Sequence, residues 1–252
     1  MSEYEKDTLF ADSAGDDAST AVFAFDSAVA AVFPDMIRRS VPGYAELVAA
    51  TGLAAAEFAE SGTRCYDLGC SRGASSFAVA AAVSAAGISD FEIVAVDNSP
   101  AMLERLEDSI CKGVSGAGMI RPMLSDALDA DISNASLVVM NYTLQFVPLE
   151  RRLELVERIY DGLRPGGALI LSEKVVFENP AENALATRLH DAFKRANGYS
   201  EMEIAKKRAA LENVLLPETI EEHVCRLERV GFQSVWRWFQ TLNFVSLLAV
   251  KE

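Results

Sequence analysis

Histidine is scarce in this 252-residue chain: only His190 and His223 occur, and neither stands in a nucleophile or metal motif. Four cysteines, Cys65, Cys70, Cys111 and Cys225, form no C-x-x-C pair. Their spacing argues against a disulfide framework or zinc site and fits a reducing compartment. Cations are in the minority, 23 Lys and Arg against 37 Asp and Glu for a net charge of −14, which argues against a broad electrostatic grip on nucleic acid. No uninterrupted apolar run reaches bilayer-spanning length. The opening MSEYEKDTLFADSAGDDAST lacks the basic start and apolar centre of a secretory signal. The expectation is a cytoplasmic protein with no metal, no membrane association and no direct nucleic-acid binding.

Half of the residues are hydrophobic, enough for a sizeable core. Residues 1–20 read as a flexible acidic arm with few groups to bury, and residues 21–252 as a single domain. The stretch RCYDLGCSRGASSF, Arg64 to Phe77, organises the rest. A strand ending at Leu68 meets a turn with Gly69 and Gly73, and an alanine-rich helix follows, which is the nucleotide-cradling first unit of a doubly wound α/β domain. Such a turn brings backbone close to a ligand and offers the unpaired N–H groups of a helix start.

N-terminal helices occupy residues 21–60. One runs from Phe23 to Phe33 and stops at Pro34, and another runs from Tyr44 to Ala59, the pair capping the mouth of the nucleotide site. After the first unit, FEIVAV (Phe91 to Val96) is a strand ending at Asp97, and Ser99-Pro100 starts a helix. Met119 to Leu124 carries Pro122 and reads as an edge strand. ASLVVM (Ala135 to Met140) ends at Asn141, a helix covers Pro148 to Leu163, and RPGG closes it. The fifth strand starts at Ala168 to Leu171 and reaches Glu173 and Lys174. Gly69, Asp97, Asp126, Asn141 and Glu173 thus fall at strand C-termini, the ligand side of such a sheet. Residues 176–216 form a helical insertion broken at Asn197-Gly198. Beyond it come a helix from Glu218 to Val230 and two strands, Ser234 to Phe239 and Asn243 to Val250, spaced to pair as an antiparallel hairpin.

This pattern resembles the class I S-adenosylmethionine-dependent methyltransferases, with a seven-stranded doubly wound sheet. Ser71 stands where those have a middle glycine, which points to a subgroup. FPDMIRRSVPGY (Phe33 to Tyr44), YDLGCSRGA (Tyr66 to Ala74), VDNSPAM (Val96 to Met102), LRPGGALILSEK (Leu163 to Lys174) and FKRANGYSEMEI (Phe193 to Ile204) together resemble the carboxy-S-adenosyl-L-methionine synthase family. The resemblance implies conversion of S-adenosyl-L-methionine and prephenate into carboxy-S-adenosyl-L-methionine and phenylpyruvate, in a homodimer without a metal. It further implies that a tRNA carboxymethyltransferase uses the product on wobble uridine.

Asp97 is the expected acceptor for both ribose hydroxyls, with Asn98 beside it; the alternative is an acid favoured by a helix dipole. Asp126 and the Ala127 backbone suit the adenine edge, unless Asp126 is a simple loop acid. Gly69, Cys70 and Ser71 border the methionine portion through backbone groups, with Cys70 read as a packed cysteine rather than a nucleophile. Asn141 fits the amino-acid end of the cofactor or the transferred group, or a strand-end turn. Prephenate carries two carboxylates and requires cations; Arg39, Arg195 and Arg208 are the candidates, with Lys174 and Lys206 less specific. The resemblance singles out Arg208 for the new carboxylate, acting across the dimer interface, with Tyr44 nearby. The remaining alternatives are an ordinary methyltransferase acting on a small molecule or RNA, and a non-catalytic cofactor-binding protein.

Overall fold

The computed structural model describes residues 5–11, 23–113 and 116–252. Seven strands form one sheet: β1 (Thr63–Leu68), β2 (Phe91–Asp97), β3 (Ile120–Leu124), β4 (Ala135–Asn141), β5 (Leu163–Lys174), β6 (Ser234–Thr241) and β7 (Phe244–Val250). Their order is β3-β2-β1-β4-β5-β7-β6. The first five run parallel, and β7 lies antiparallel to both β5 and β6. The expected doubly wound sheet and terminal hairpin are both present, and Pro122 sits on the edge strand β3, where a missing ladder N–H is tolerated.

Alternate residues of the central strands enter two cores. Val94, Val96, Val138 and Met140 face α5 (Arg152–Gly162) and α8 (Ile220–Val230), while Ile93, Ala95, Leu137 and Val139 face α2 (Tyr44–Phe58), α3 (Ala74–Ala85) and α4 (Pro100–Cys111). Strands covered on both faces read as continuous apolar runs, which is why FEIVAV and ASLVVM show no alternation. Truncating fully buried Leu137 to alanine would cost about 2–5 kcal/mol. The alanine-rich composition of α3 has a packing cause: α2 lies so close that a Cβ at Gly52 would stand 2.8 Å from the Ala78 carbonyl oxygen.

Two boundaries and one burial differ from expectation. The first helix, α1 (Ser27–Ser40), runs through Pro34 instead of stopping there. A proline frees the carbonyl four residues earlier. Here Arg72 Nη1 takes up that carbonyl, donating to Ala30 O at 3.0 Å and to Ala31 O at 3.3 Å. The glycine turn thus supplies the donor that lets α1 continue. Strand β5 begins at Leu163, earlier than Ala168, with the RPGG segment absorbed where the β4–β5 register shifts. The third difference lies in the N-terminal arm. Most of it falls outside the described residues, but within residues 5–11 Asp7 is almost fully buried rather than solvated.

The insertion comprises α6 (Pro180–Ala196) and α7 (Glu201–Leu211). Its break follows the sequence: Gly198 takes a φ of 86°, and Ser200 with Glu203 forms a reciprocal cap on α7. Together with α1 it stands over the C-terminal ends of the parallel strands. The capping expected of both N-terminal helices is divided: α1 covers the mouth, whereas α2 contributes Tyr44 at its first turn and otherwise packs on α3.

Candidate active site

A cavity of about 540 Å³ opens at the strand ends. Tyr44, Gly69, Cys70, Ser71, Asp97, Asn98, Asp126, Ala127, Asn141 and Arg208 all line it. Sequence positions more than a hundred residues apart therefore converge on one space.

At the turn, Gly69 has a φ of 76° and lies against Thr143, so a Cβ there would run into that side chain. Ser71 also adopts a left-handed conformation, φ 51°, uncommon for a residue with a side chain. Its amide donates to Asp97 Oδ2 at 2.8 Å, and the Ser99 amide donates to Asp97 Oδ1 at 2.9 Å. Each oxygen keeps a lone pair, so the carboxylate retains the capacity to accept two hydroxyls. Burial raises the Asp97 carboxyl above its ordinary value, and the two amide bonds oppose that rise. Cys70 is buried, and its thiol is pushed well above the usual range by burial and by Asp67 and Asp97. That environment disfavours a thiolate.

Asp126 accepts from the Leu128 amide at 2.9 Å, and Asn98 Nδ2 approaches its other oxygen at 3.4 Å. The Asn141 amide is committed to neighbours: Nδ2 donates to Ser75 Oγ at 2.9 Å, and Oδ1 accepts from Ser172 Oγ at 2.6 Å. Two residues without an assigned role emerge here. Asp67, one position before the end of β1, lines the cavity with its carboxyl pushed up to about 6 by burial, opposed by the Ser76 hydroxyl bond. Tyr142 follows Asn141 at φ 63°, and its buried hydroxyl has no partner among the described residues. A tyrosine held in that conformation beside a cavity marks strain at a binding site. The acid next to the end of β1 is a sequence signal for Asp67; nothing local announces Tyr142.

Glu173 departs from the strand-end pattern. It does not line the cavity; its oxygens accept the amides of Leu144 at 2.8 Å and Gln145 at 3.0 Å. Burial pushes its carboxyl up to about 8 against those bonds. It anchors the segment carrying Thr143, Gln145 and Phe146, which do border the cavity.

The cationic candidates separate. Arg39 is buried away from the cavity, donating to Asn197 O at 2.7 Å, to Asp7 O at 3.0 Å and to Asp35 at 3.2 Å, with its guanidinium 3.8 Å from the Tyr199 ring centre. Arg195 pairs with Glu201 on the surface, and neither it nor Lys206 lines the cavity. Lys174 and Arg208 do line it, and Lys194 and Lys207, with no role assigned from the sequence, join them. Arg208 is paired with Asp191 and borders the cavity of its own chain. Burial and mutual repulsion lower all three lysines, Lys194 and Lys207 to about 8. His190 also borders the cavity; burial lowers it to about 3, so the neutral ring donates Nε2–H to the Ser40 carbonyl at 2.7 Å. His223 lies elsewhere, beside Arg226 and Glu218. Among the described residues, no group of three or more His, Cys, Asp or Glu side chains is placed to hold a metal ion, and no helix is long and apolar enough to cross a membrane.

A methyltransferase-domain family model matches residues 65–167. The chain is 51% identical over 229 residues to a carboxy-S-adenosyl-L-methionine synthase of Trichlorobacter lovleyi, covering 91% of this chain and 93% of that protein. The protein of the same name from Actinobacillus pleuropneumoniae is 46% identical, with 98% and 99% covered. The chain belongs to the carboxy-S-adenosyl-L-methionine synthase family. More distant likenesses concern the fold. An O-methyltransferase family protein of Burkholderia thailandensis superposes with a TM-score of 0.63 at 18% identity, covering 90% of this chain and 60% of the longer one. Human N-acetylserotonin methyltransferase does so at 0.59 and 16%, covering 89% and 55%. The resemblance read from the sequence motifs and the fold expected from them are thereby borne out.

Proposed function

We propose that the cavity binds S-adenosyl-L-methionine and prephenate side by side and releases carboxy-S-adenosyl-L-methionine and phenylpyruvate. The supporting observation is the concentration of Lys174, Lys194, Lys207 and Arg208 on one cavity, in a chain of net charge −14. A methyl acceptor does not in general require such a cluster; a dianion does.

In this reading the Gly69–Ser71 backbone cradles the methionine portion, Asp97 and Asn98 take the ribose, and Asp126 with Ala127 borders adenine. The chemistry implied by family membership needs no acid–base pair from the protein. Prephenate aromatises by losing its ring carboxylate as carbon dioxide and its hydroxyl as hydroxide. The hydroxide removes a proton from the sulfonium methyl, giving water and an ylide, and the ylide carbon attacks carbon dioxide. The net products are carboxy-S-adenosyl-L-methionine, phenylpyruvate and water. The chain contributes proximity, water exclusion by α1 and the insertion, and the Arg208 cation where the new carboxylate develops. Tyr44, its phenol pushed above the ordinary range by burial and Asp67, stays protonated as a hydrogen-bond donor beside it. The product serves as carboxymethyl donor for a tRNA carboxymethyltransferase acting on wobble uridine. The protein works as a cytoplasmic homodimer, with Arg208 acting in the cavity of its own chain.

Incubation with S-adenosylmethionine, with and without prephenate, followed by mass spectrometry of the cofactor tests the reaction. Carboxylated cofactor forms only with prephenate. Methyl transfer to another acceptor favours an ordinary methyltransferase, and a bound but unchanged cofactor favours a storage protein; either result contradicts the proposal.

A further inference from the structure

We propose that Asp7 is a positioning residue for the second substrate: its carboxylate holds the Lys207 ammonium at the cavity wall, where that cation receives a carboxylate of the incoming dianion. This inference rests on the two-substrate reading of the cavity.

The geometry begins with an acid that has no reason to be buried unless it is paired. Asp7 is 1% exposed, in a segment whose composition reads as a solvated arm. Every polar group of the residue is engaged. Its amide donates to Asp35 Oδ2 at 2.9 Å, its carbonyl accepts Arg39 Nη1 at 3.0 Å, and Oδ1 accepts the Leu9 amide at 3.2 Å. Oδ2 accepts the Tyr199 hydroxyl and lies 3.8 Å from Lys207 Nζ. One residue thus joins α1, the turn between α6 and α7, and α7 itself, the elements that roof the cavity.

Lys207 is 7% exposed and lines the cavity. Of its three N–H donors, one is used by Ser40 Oγ at 2.9 Å. The Asp7 oxygen at 3.8 Å is too far to take a second as a hydrogen bond, yet close enough to stabilise the charge. Donors remain for a ligand. The charges facing Lys207 are Asp7 from the N-terminal segment, Asp35 and Arg39 from α1, and Lys194 from α6. The Tyr199 ring centre lies 5.3 Å away, and Asp191, Lys174 and Arg208 border the same cavity. Asp35 is already occupied by Arg38, Arg39 and the Asp7 amide. Removing the Asp7 charge would leave Lys207 buried between Arg39 and Lys194 with its main counter-charge gone, so the amine would shed its proton. The lowering of Lys207 to about 8 with Asp7 in place agrees with a cation already near that limit.

Steady-state kinetics on the full chain test the inference. Asp7→Asn should raise the KM for prephenate roughly tenfold while the KM for S-adenosylmethionine moves less than about twofold. The alkaline limb of the prephenate profile should move to lower pH, and Asp7→Glu should restore part of the loss. Lys207→Gln should raise the prephenate KM as much, with Asp7→Asn adding nothing in the double variant. Equal rises in both KM values, an unmoved alkaline limb or multiplying effects would overturn the proposal. Should Asp7→Asn not fold, an unchanged prephenate KM in Lys207→Gln overturns it as well. A wild type that forms no carboxylated cofactor overturns the reading of the cavity and this inference with it, whereas product formation with an insensitive Asp7→Asn overturns this inference alone.

Discussion

The two halves of the cavity are built in opposite ways. The half proposed to hold the adenosine comes from the sheet: the β1 turn and the ends of β2, β3 and β4 present backbone groups and short acids, held by the loops and side chains of the adjoining strand ends. Asp97 is gripped by Ser71 and Ser99, Asp126 by Leu128. The cationic half is assembled from long side chains on β5, α6 and α7 and from the α1 roof, with Asp7 holding them from the far N-terminus. The first half is assembled from successive strand–turn–helix units of one sheet. The second is charged and partly buried because its elements converge from across the chain.

The largest expected effect tests whether the two halves share a support. Arg152 is fully buried, donates to Val147 O at 2.9 Å and Leu216 O at 2.8 Å, and pairs with Glu218, tying the cavity-lining 145–148 segment to the end of the insertion. Arg152→Leu leaves Glu218 and those carbonyls without it and should cost about 3–5 kcal/mol in urea unfolding. A cost under about 1 kcal/mol would mean the halves stand independently. Next, Asp97→Ala should weaken S-adenosylmethionine binding on the order of 100-fold by calorimetry, through two charge-assisted acceptor sites. A loss under about threefold would remove the ribose role. Arg208→Ala acts on the other half only: it should weaken retention of the carboxylated cofactor roughly tenfold more than that of S-adenosylmethionine. Equal losses would erase the distinction between halves.

Proton linkage gives a smaller contrast. Lys194 and Lys207 carry their charge below about 8 and lose it as pH rises through that value. Prephenate affinity should therefore fall above pH 8, while S-adenosylmethionine affinity stays level between pH 7 and 9 by direct titration, within about twofold. Parallel curves would break the comparison. Smallest of all, Ser71→Gly relieves a left-handed φ at the cost of a hydroxyl contact to Met102. Stability should change by no more than about 1 kcal/mol in thermal unfolding, and a larger loss would assign the serine hydroxyl a role of its own.

The same division governs what could be read from the chain. The strand–turn–helix unit, the acids at 97 and 126 and the terminal hairpin follow from local pattern, because in a doubly wound sheet adjacency in sequence becomes adjacency in space. Pro34 misleads for a reason: Arg72, in the turn after β1, donates to the carbonyl that the proline frees, so the helix continues past it. Arg39 looked like a substrate arginine but is consumed by Asp7, Asp35 and Asn197. Lys194, Lys207 and Tyr142 carry no local signature; their place is visible only once α1, α6 and α7 close over the strand ends. Arg208 and Tyr44 are singled out by the family resemblance, and Arg208 also by the suitability of arginine for carboxylates; no spacing rule marks either.

In the proposed reaction the cationic half holds a dianion whose carboxyl group ends on the cofactor held by the other half. Prephenate isotopically labelled at its ring carboxylate, incubated with the protein and unlabelled S-adenosylmethionine, tests it most directly by mass spectrometry. The label should appear on the cofactor and the phenylpyruvate should be unlabelled. Label released entirely as carbon dioxide, with the cofactor unchanged, would contradict it.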